Sequence, residues 1–478
     1  MTPQTPGTIR SDPFSNYKAA ITSQQRPLQP GAPSSDRSSG YFPHLPSAGS
    51  NTSLRRRRQV FKSHLLVEGS EIQKPWLENK QRKNADRKAY WLFVIACIIG
   101  IIAAAGVVYT GIMAVPKHTY CLVMQDDFSG TELNKNIWFH EQQTGGFGNG
   151  EFEWTTDSTN NSYVRDGYLY ITPTLTSDSV GEAAIINGGQ LNLTTSGTCT
   201  AANISDAASC SVASNSSTGV ILPPIQSARI ITNFSTTIKY GRVEIKAKMP
   251  TGDWIWPALW MMPKDSVYGD WPRSGEIDIF EGKGNRVTTK DADASNRMHS
   301  SMHWGLTTDT DRYKLTTDDR QLYRGFYDQE FHTFGLEWTP EGIYTWEGSP
   351  VHKVLEYKWD VDFYHKGKFP LTTNNGTDMS NPWPVSGGKG APFDQEFFLI
   401  LSVAVGGTNH YFNDQDQPAM PWSNEADNPR AQFWAAKDQW LPTWPQDPAE
   451  RSMIIDSVKM YQLQGPEGKA CPAQPVIA

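Results

Sequence analysis

The chain has 478 residues, enough for one large β domain with tails or for two to three domains of average size. A formal net charge of -7 argues against nucleic acid as the main partner, because polyanions attract basic proteins. A core accounts for most of the 17 Trp, 18 Tyr and 20 Phe, and a carbohydrate cleft, where rings stack on apolar sugar faces, accounts for the rest.

Residues 1–88 are rich in Pro, Ser, Gln, Arg and Lys and contain few apolar clusters. Such a segment buries too little surface to offset its ordering entropy, which predicts a disordered tail. Residues 89–115 form an uncharged apolar run longer than the roughly 20 residues that span a bilayer. The run starts too late for a cleaved signal peptide, and no polar face marks it as a buried core helix. We expect one transmembrane helix over 89–115.

The charges that flank this helix predict its orientation. Basic residues crowd its N-terminal side between 80 and 88, with four arginines at 55–58, whereas Lys117 is nearly alone on the far side. Because positive residues stay cytosolic, we expect a type II protein anchored in lipid, with residues after 116 in the secretory lumen or outside the plasma membrane. Glycosylation sequons on that side agree: Asn160, Asn192, Asn203, Asn215, Asn233 and Asn375.

Four of the five cysteines, Cys121, Cys199, Cys210 and Cys471, follow the apolar run, and Cys97 lies within it. In an oxidising compartment four cysteines allow three pairings. We favour Cys199–Cys210, which closes a short polar loop, and Cys121–Cys471, which ties the two ends of the domain together.

Residues 119–478 have the pattern of an all-β domain. Short alternating or β-branched runs recur between turn residues, at 167–172, 241–248, 397–405 and 453–461. Helical periodicity is nearly absent, which predicts one sandwich of antiparallel sheets. The Thr-, Ser-, Ala- and Asn-rich segment over about 175–220 is expected to be a glycosylated surface loop.

Carboxylates concentrate in residues 275–281, GEIDIFE. On a strand Glu276 and Asp278 share a face, and the alternate isoleucines enter the core. Glu281 is an odd number of residues from Glu276 and would face the wrong side of a regular strand. One β-bulge near Ile279 or Phe280 would return Glu281 to the acidic face.

Two glutamates on one face predict acid–base chemistry on a glycosidic bond. Their Cα atoms would lie on the order of 13 Å apart at the usual strand rise. Side chains leaning together would bring the carboxyls to about 5 Å, the spacing of a retaining glycosidase. A solvated acidic strand or a calcium site is the alternative, because like charges aligned on one face repel.

The chain resembles glycoside hydrolase family 16, in its laminarinase-like branch. The resemblance covers nearly the whole domain and rests on the bulged E-x-D-x-x-E motif and on further segments in the same order: 145–151 GGFGNGE, 227–230 SARI, 240–250 YGRVEIKAKMP, 256–260 WPALW, 303–304 HW, 331–332 FH with 337–340 EWTP, 392–401 PFDQEFFLIL and 404–409 AVGGTN. It implies a concanavalin A-like β-jelly roll with an open cleft for β-glucan.

By this resemblance, Glu276 is the nucleophile, Glu281 the acid/base and Asp278 the residue that orients the nucleophile. The implied sugar-binding residues are Asn149, Arg229, Trp256, Trp271 and His303, with His303 beside the acid/base. The residue types alone leave a structural alternative for three of them. Trp256 could instead be a core residue, Arg229 the partner in a buried ion pair, and His303 a buried histidine whose hydrogen bonds are satisfied.

Many relatives hold a structural calcium ion, and Gly167 and Asp456 resemble positions that ligate it. Two candidates fall short of the six or more oxygens that calcium takes. The catalytic chemistry itself requires no cofactor.

The first hypothesis is a retaining hydrolase that cleaves internal linkages of β-1,3-glucan or of mixed-linkage chains. A transglycosidase that remodels cell-wall glucan is the second, because the membrane layout resembles fungal proteins of β-1,6-glucan assembly, although this tail is shorter. The third is a non-catalytic glucan-recognition protein, but such relatives usually lose one or both glutamates.

Overall fold

The computed structural model describes residues 69, 71, 73–114, 117–204, 207–286, 293–372, 376, 378–383, 388–465, 468 and 470–477. Most of the predicted tail, the arginines at 55–58 and the sequon at Asn375 lie outside the described residues.

The helices are short except for one. In chain order they are α1 (Pro75–Glu78), α2 (Lys80–Ala114), α3 (Ser177–Val180), α4 (Glu182–Ile186), α5 (Leu193–Ser196), α6 (Ala207–Cys210), α7 (Phe363–Gly367), α8 (Pro429–Ala435) and α9 (Lys437–Trp440). Single 3-10 turns occupy Thr308–Thr310, Tyr313–Leu315 and Leu441–Thr443.

Helix α2 contains residues 89–114 of the predicted apolar run but begins earlier than expected, and residue 115 lies outside the described residues. The side chain of Asn79 accepts from the backbone N–H of Gln81 at 3.0 Å, and the Lys, Gln and Arg residues that follow are good helix formers. Residues 80–88, predicted as disordered tail, are therefore helical. Over Lys80–Met113 the helix is long and apolar enough to cross a membrane, and its most apolar window has no buried residues.

The strands of the described residues all follow α2 in the chain. In order they are β1 (Tyr120–Asp126), β2 (Phe139–His140), β3 (Glu153–Thr155), β4 (Ser162–Arg165), β5 (Tyr168–Ile171), β6 (Thr174–Leu175), β7 (Gln190–Asn192), β8 (Ser211–Ala213), β9 (Ile225–Ser227), β10 (Arg229–Ile231), β11 (Thr237–Ile238), β12 (Gly241–Lys248), β13 (Ile255–Pro263), β14 (Glu276–Gly282), β15 (Arg297–His303), β16 (Thr317–Gln321), β17 (His332–Thr339), β18 (Gly342–Glu347), β19 (Lys353–Lys358), β20 (Phe397–Val405), β21 (Met453–Leu463) and β22 (Val476–Ile477). The four predicted strands are thus confirmed as β5, β12, β20 and β21.

Two large sheets form within the described residues. The first has the order β19-β18-β17-β12-β21-β1-β22, with β5 beside β21 and β4 beside β5. The second has the order β16-β15-β14-β13-β20-β10-β2, with β11 beside β20. The neighbours in these two sheets are antiparallel except for β22, which is the parallel partner of β1, and consecutive hairpins such as β13-β14-β15-β16 alternate with pairs distant in sequence such as β12-β21 and β13-β20.

The core joins the two sheets. One buried cluster contains Val243 of β12 in the first sheet and Leu259 of β13 in the second. The rings of Phe280 on β14 and Phe334 on β17 meet across it at 4.7 Å. This layer of interdigitated side chains confirms the predicted sandwich.

Both favoured disulfides are present. Cys121–Cys471 joins the first strand to the C-terminal segment, and Cys199–Cys210 lies in the predicted surface loop. That loop is more ordered than expected, because α3 to α6 and the pair β7–β8 fall within it. Cys97, in α2, is free and exposed.

Candidate active site

Strand β14 carries the acidic cluster in the second sheet, between β13 and β15. Its register on β15 pairs Glu276 with His303 and Glu281 with His299. Five steps along β14 therefore match four steps along β15, and the pairing with β13 also shifts across the bulge. The predicted β-bulge is confirmed.

The bulge separates acidic and apolar side chains. Positions four apart on β15 share a face, so their partners Glu276 and Glu281 also share one, about 13 Å apart along the strand. Ile277, Ile279 and Phe280 point the other way and are fully buried in the core. One extra residue thus suffices to place both glutamates on the open face.

Glu276 sits at the start of β14, next to an exposed indole. The Nε1–H of Trp271 donates to Glu276 Oε2 at 2.6 Å, and the Trp271 ring keeps 37% of its surface exposed. Gly275 before it has a φ of +85°, and a Cβ there would meet the Phe393 ring at 3.0 Å. A glycine is therefore required at the turn that delivers Glu276 to the site.

Asp278 lies between the two glutamates and is nearly fully buried. His303 Nε2 is 3.3 Å from Asp278 Oδ2, and the other ring nitrogen, Nδ1, is 2.6 Å from Asp311 Oδ2. Tyr313 stacks on the His303 ring at 4.8 Å. His303 is thus held between two carboxylates and its orientation is fixed.

Glu281 has its own indole partner. The Nε1–H of Trp256 donates to Glu281 Oε1 at 3.1 Å, while the Trp256 ring stacks on Tyr411 at 4.0 Å. Trp256 is only 6% exposed and belongs to the buried core, as the core alternative predicted, and its binding of sugar stays a prediction.

Burial, followed by the charge of Asp278, raises the pKa of both glutamates, well above the usual range for Glu276 and to about 7 for Glu281. The indole hydrogen bonds and His303 act in the opposite direction. Burial alone would lower the pKa of His303, but its hydrogen bonds to Asp278 and Asp311 raise it well above its ordinary value. A cation therefore sits among the carboxylates.

A small cavity of about 40 Å³ lies over this face. Three of the predicted sugar-binding residues, Asn149, Arg229 and Trp256, line it together with Glu276, Asp278 and Glu281. Arg229 also forms an ion pair with Glu141, which confirms the alternative prediction of an ion pair. The guanidinium carbon of Arg229 lies 4.5 Å from the centroid of the Trp260 ring. Trp271 and His303 contact the carboxylates from the side.

The predicted place of His303 beside the acid/base is wrong in register. His303 lies opposite Glu276, and the residue opposite Glu281 is His299. The sequence pattern missed His299 because the bulge decides which β15 residue faces each glutamate. Asp311 and Tyr411 were also not predicted, because both lie in loops that follow the acidic motif in the sequence and carry no motif of their own.

Two residue sets were considered for a metal ion. Ligand atoms of Glu276, Asp278 and His303 lie within 4.8 Å of one another, but both ring nitrogens of His303 already contact carboxylates, those of Asp278 and Asp311. At the predicted calcium position, Lys246 Nζ lies 3.4 Å from Asp456 Oδ2 and already compensates its charge. Gly167 lies in the turn between β4 and β5, and a calcium site at Gly167 and Asp456 stays a prediction.

Comparison with known proteins places this site in a family. A model described as glycosyl hydrolases family 16 matches residues 191–388. The beta-1,3-glucan-binding protein of Penaeus monodon is 35% identical over 364 residues, which cover 73% of this chain and 92% of that protein. The chain belongs to glycosyl hydrolase family 16.

Two further similar proteins match less of their own length or share less sequence. The glucan endo-1,3-beta-glucosidase A1 of Niallia circulans is 31% identical over 299 residues, 60% of this chain but only 34% of that protein. The solved laminarinase from Rhodothermus marinus covers 73% of this chain and 100% of its own, with 22% identity and a TM-score of 0.44.

Proposed function

We propose that this family 16 protein is a retaining glycoside hydrolase that cleaves internal linkages of β-1,3-glucan or of mixed-linkage chains. The observation that carries the proposal is the bulged strand, which sets Glu276 and Glu281 on one face with Asp278 between them. Trp256 and Trp260 line the cavity over that face, and the exposed ring of Trp271, suited to stacking on a sugar, lies beside Glu276. Two relatives whose names refer to β-1,3-glucan support the substrate class.

The two glutamates take complementary roles in the proposed reaction. The Glu276 carboxylate attacks the anomeric carbon, the glycosidic C–O bond breaks, and the leaving oxygen takes the proton of Glu281. Glu281 then removes a proton from water, which attacks the glycosyl-enzyme and frees Glu276. Asp278, on the same face of β14, and His303, opposite Glu276 on β15, hold Glu276 in place.

Before the first step of the proposed reaction, Glu281 must be protonated and Glu276 must be ionised. Both pKa values are raised, so near neutral pH the coupled pair keeps a proton. The Trp271 bond to Glu276, at 2.6 Å, is shorter than the Trp256 bond to Glu281, at 3.1 Å. The shorter bond favours the anion at Glu276, against the burial and the Asp278 charge that raise the pKa of Glu276, and the proposed roles require the proton to sit on Glu281.

A transglycosidase is the second candidate, because a sugar hydroxyl can intercept the same intermediate. The long apolar helix α2 favours it, since a tethered enzyme would act on glucan near its own membrane. Non-catalytic glucan recognition is the third, in keeping with the name of the Penaeus monodon relative. Both glutamates are present with their indole partners, which favours catalysis over binding alone.

The test uses the full-length chain in detergent with laminarin and β-1,4- and β-1,6-glucans. Reducing ends and product lengths are followed together. Hydrolysis predicts short products and new reducing ends from laminarin, whereas transfer predicts products longer than the starting oligosaccharide. Saturable laminarin binding without either product would contradict catalysis and support recognition.

The location follows from α2 and the two disulfides, which support a protein of the secretory pathway or cell surface. We propose a type II anchor with residues after 116 on the lumenal or extracellular side, where the sequons would be glycosylated.

A further inference from the structure

A chain of charged groups continues from Glu281 away from the substrate face. His299 stands directly opposite Glu281 in the sheet, where paired residues have Cβ atoms about 5 Å apart. Its Nε2 lies 2.9 Å from Asp293 Oδ1. Neither residue takes part in the reaction steps proposed above.

Asp293 is itself fixed by a buried lysine. Lys283 Nζ lies 3.0 Å from Asp293 Oδ2 and 2.7 Å from Asp416 Oδ1, and the Lys283 and Asp416 side chains are only 2% and 3% exposed. Charges buried this deeply are costly unless every partner is in place. The network Asp416–Lys283–Asp293 therefore holds one carboxylate oxygen against His299.

We propose that His299, kept as a cation by Asp293, is a positioning residue for Glu281 that stabilises the carboxylate formed when Glu281 gives its proton to the leaving oxygen. His299 keeps its own proton throughout, so the proton balance of the reaction is unchanged. The inference rests on the proposed function, in which Glu281 is the acid/base.

The charges around both groups agree with this role. Burial alone would lower the pKa of His299, but the bond to Asp293 raises it above its ordinary value, and His299 in turn lowers the pKa of Glu281. His299 faces Glu281 across the sheet and Trp256 donates a hydrogen bond to it, while the charges of Glu276, Asp278, His303 and Tyr411 act on Glu281 from further away. Those that face His299 are Glu281, Asp293, Lys283, and Asp319 of β16, which pairs with Arg297.

The sign of the effect follows from the charge. A cation opposite Glu281 favours its ionised form, so removing the cation raises the pKa of Glu281. The alkaline limb of kcat/KM, where Glu281 loses its proton, would then move to higher pH by about one unit. The KM would change little, because His299 does not line the cavity.

The experiment compares His299→Gln, Asp293→Asn and His299→Lys in the full-length chain on laminarin. Both His299→Gln and the nearly isosteric Asp293→Asn are expected to shift the alkaline limb upward, while His299→Lys restores the charge and keeps the limb near its original position. His332→Gln is the matched control, because it removes another histidine–carboxylate pair, with Glu347 on the other sheet. This control should leave the limb unmoved.

A second measurement keeps the test independent of turnover. The Glu281 carboxyl is titrated by difference infrared spectroscopy, with its band assigned by its loss in Glu281→Gln. A higher pKa of Glu281 in both His299→Gln and Asp293→Asn supports the inference, even if the unmodified chain hydrolyses no glucan. Absence of hydrolysis by the unmodified chain would contradict only the proposed function. Unchanged titration of Glu281 in His299→Gln and Asp293→Asn would overturn the inference.

Discussion

Trp271 offers two separate properties to the reacting glutamate. Its exposed ring can stack on a sugar, and its Nε1–H donates to Glu276 Oε2. The hydrogen bond lowers the pKa of Glu276 against the effects of burial and of Asp278. In the proposed reaction the indole nitrogen thus acts on Glu276 and the ring acts on the sugar.

Trp271→Phe separates these properties, because phenylalanine keeps a ring and loses the donor. Glu276 must be ionised to attack, so its higher pKa should move the acid limb of kcat/KM to higher pH by about one unit, with roughly tenfold lower kcat. The pH profile of laminarin hydrolysis measures this.

Trp154→Phe is the control, since its Nε1–H donates to Thr176 at 3.2 Å, away from the carboxylates. An unmoved acid limb in Trp271→Phe would mean that the indole donor does not set the charge of Glu276.

At the residue scale, the sequence predicted the three carboxylates correctly in position and face. Asn149, Arg229 and Trp256 were predicted by resemblance and do line the cavity. His299 could not be predicted, because only the bulged register shows which histidine of β15 faces Glu281. Nothing in the local sequence around Asp293 indicates that it meets that histidine.

Strand β14 is the element on which the site depends. The bulge directs Ile277, Ile279 and Phe280 into the buried layer between the sheets, while Asp278 and Glu281 lie on the acidic face. Phe280 packs on Phe334 at 4.7 Å and on Tyr327 at 5.6 Å. Core packing therefore holds the bulge in place.

Phe280→Ala should lower the free energy of unfolding by about 3–5 kcal/mol, because it leaves a cavity between the two sheets. Urea unfolding with the disulfides intact measures this. Phe234→Ala, at a ring that is 74% exposed, is the matched control and should cost far less. A loss below about 1 kcal/mol in Phe280→Ala would contradict the role of this side chain in holding the bulge.

Strands were predictable where buried and exposed residues alternate along the sequence, and elements without such alternation were less predictable. Strand β12 alternates clearly between buried and partly exposed residues, and its predicted bounds match the observed Gly241–Lys248. The start of α2 was placed too late, because the polar residues 80–88 carry no apolar period yet form helix readily. The short helices within 175–220 are too brief to show a period at all.

The whole chain combines a long apolar helix with a disulfide-bonded sandwich. Cys121–Cys471 closes a separation of 350 residues and was predictable from the position of the two cysteines at the ends of the domain. The order of the strands was not predictable from pattern alone, because neighbours such as β12 and β21 are joined by more than 200 intervening residues.

The proposed topology makes a prediction for sealed vesicles that carry the chain. Protease added outside should remove the N-terminal residues and leave the sandwich intact, because the basic flank of α2 stays cytosolic. Immunoblots against both ends measure the fragments, and detergent-opened vesicles are the control. A protected N-terminus with a digested sandwich would reverse the orientation.

The central claim is that Glu276 and Glu281 hydrolyse β-1,3-glucan, and Glu276→Gln tests it most directly. Release of reducing ends from laminarin is measured for the unmodified chain, for Glu276→Gln, and for Glu356→Gln, a control at an exposed glutamate paired with Lys353. We predict that Glu276→Gln lowers turnover by more than about a thousandfold while laminarin binding persists, and that Glu356→Gln retains full turnover. Turnover in Glu276→Gln equal to that of the unmodified chain would contradict the account.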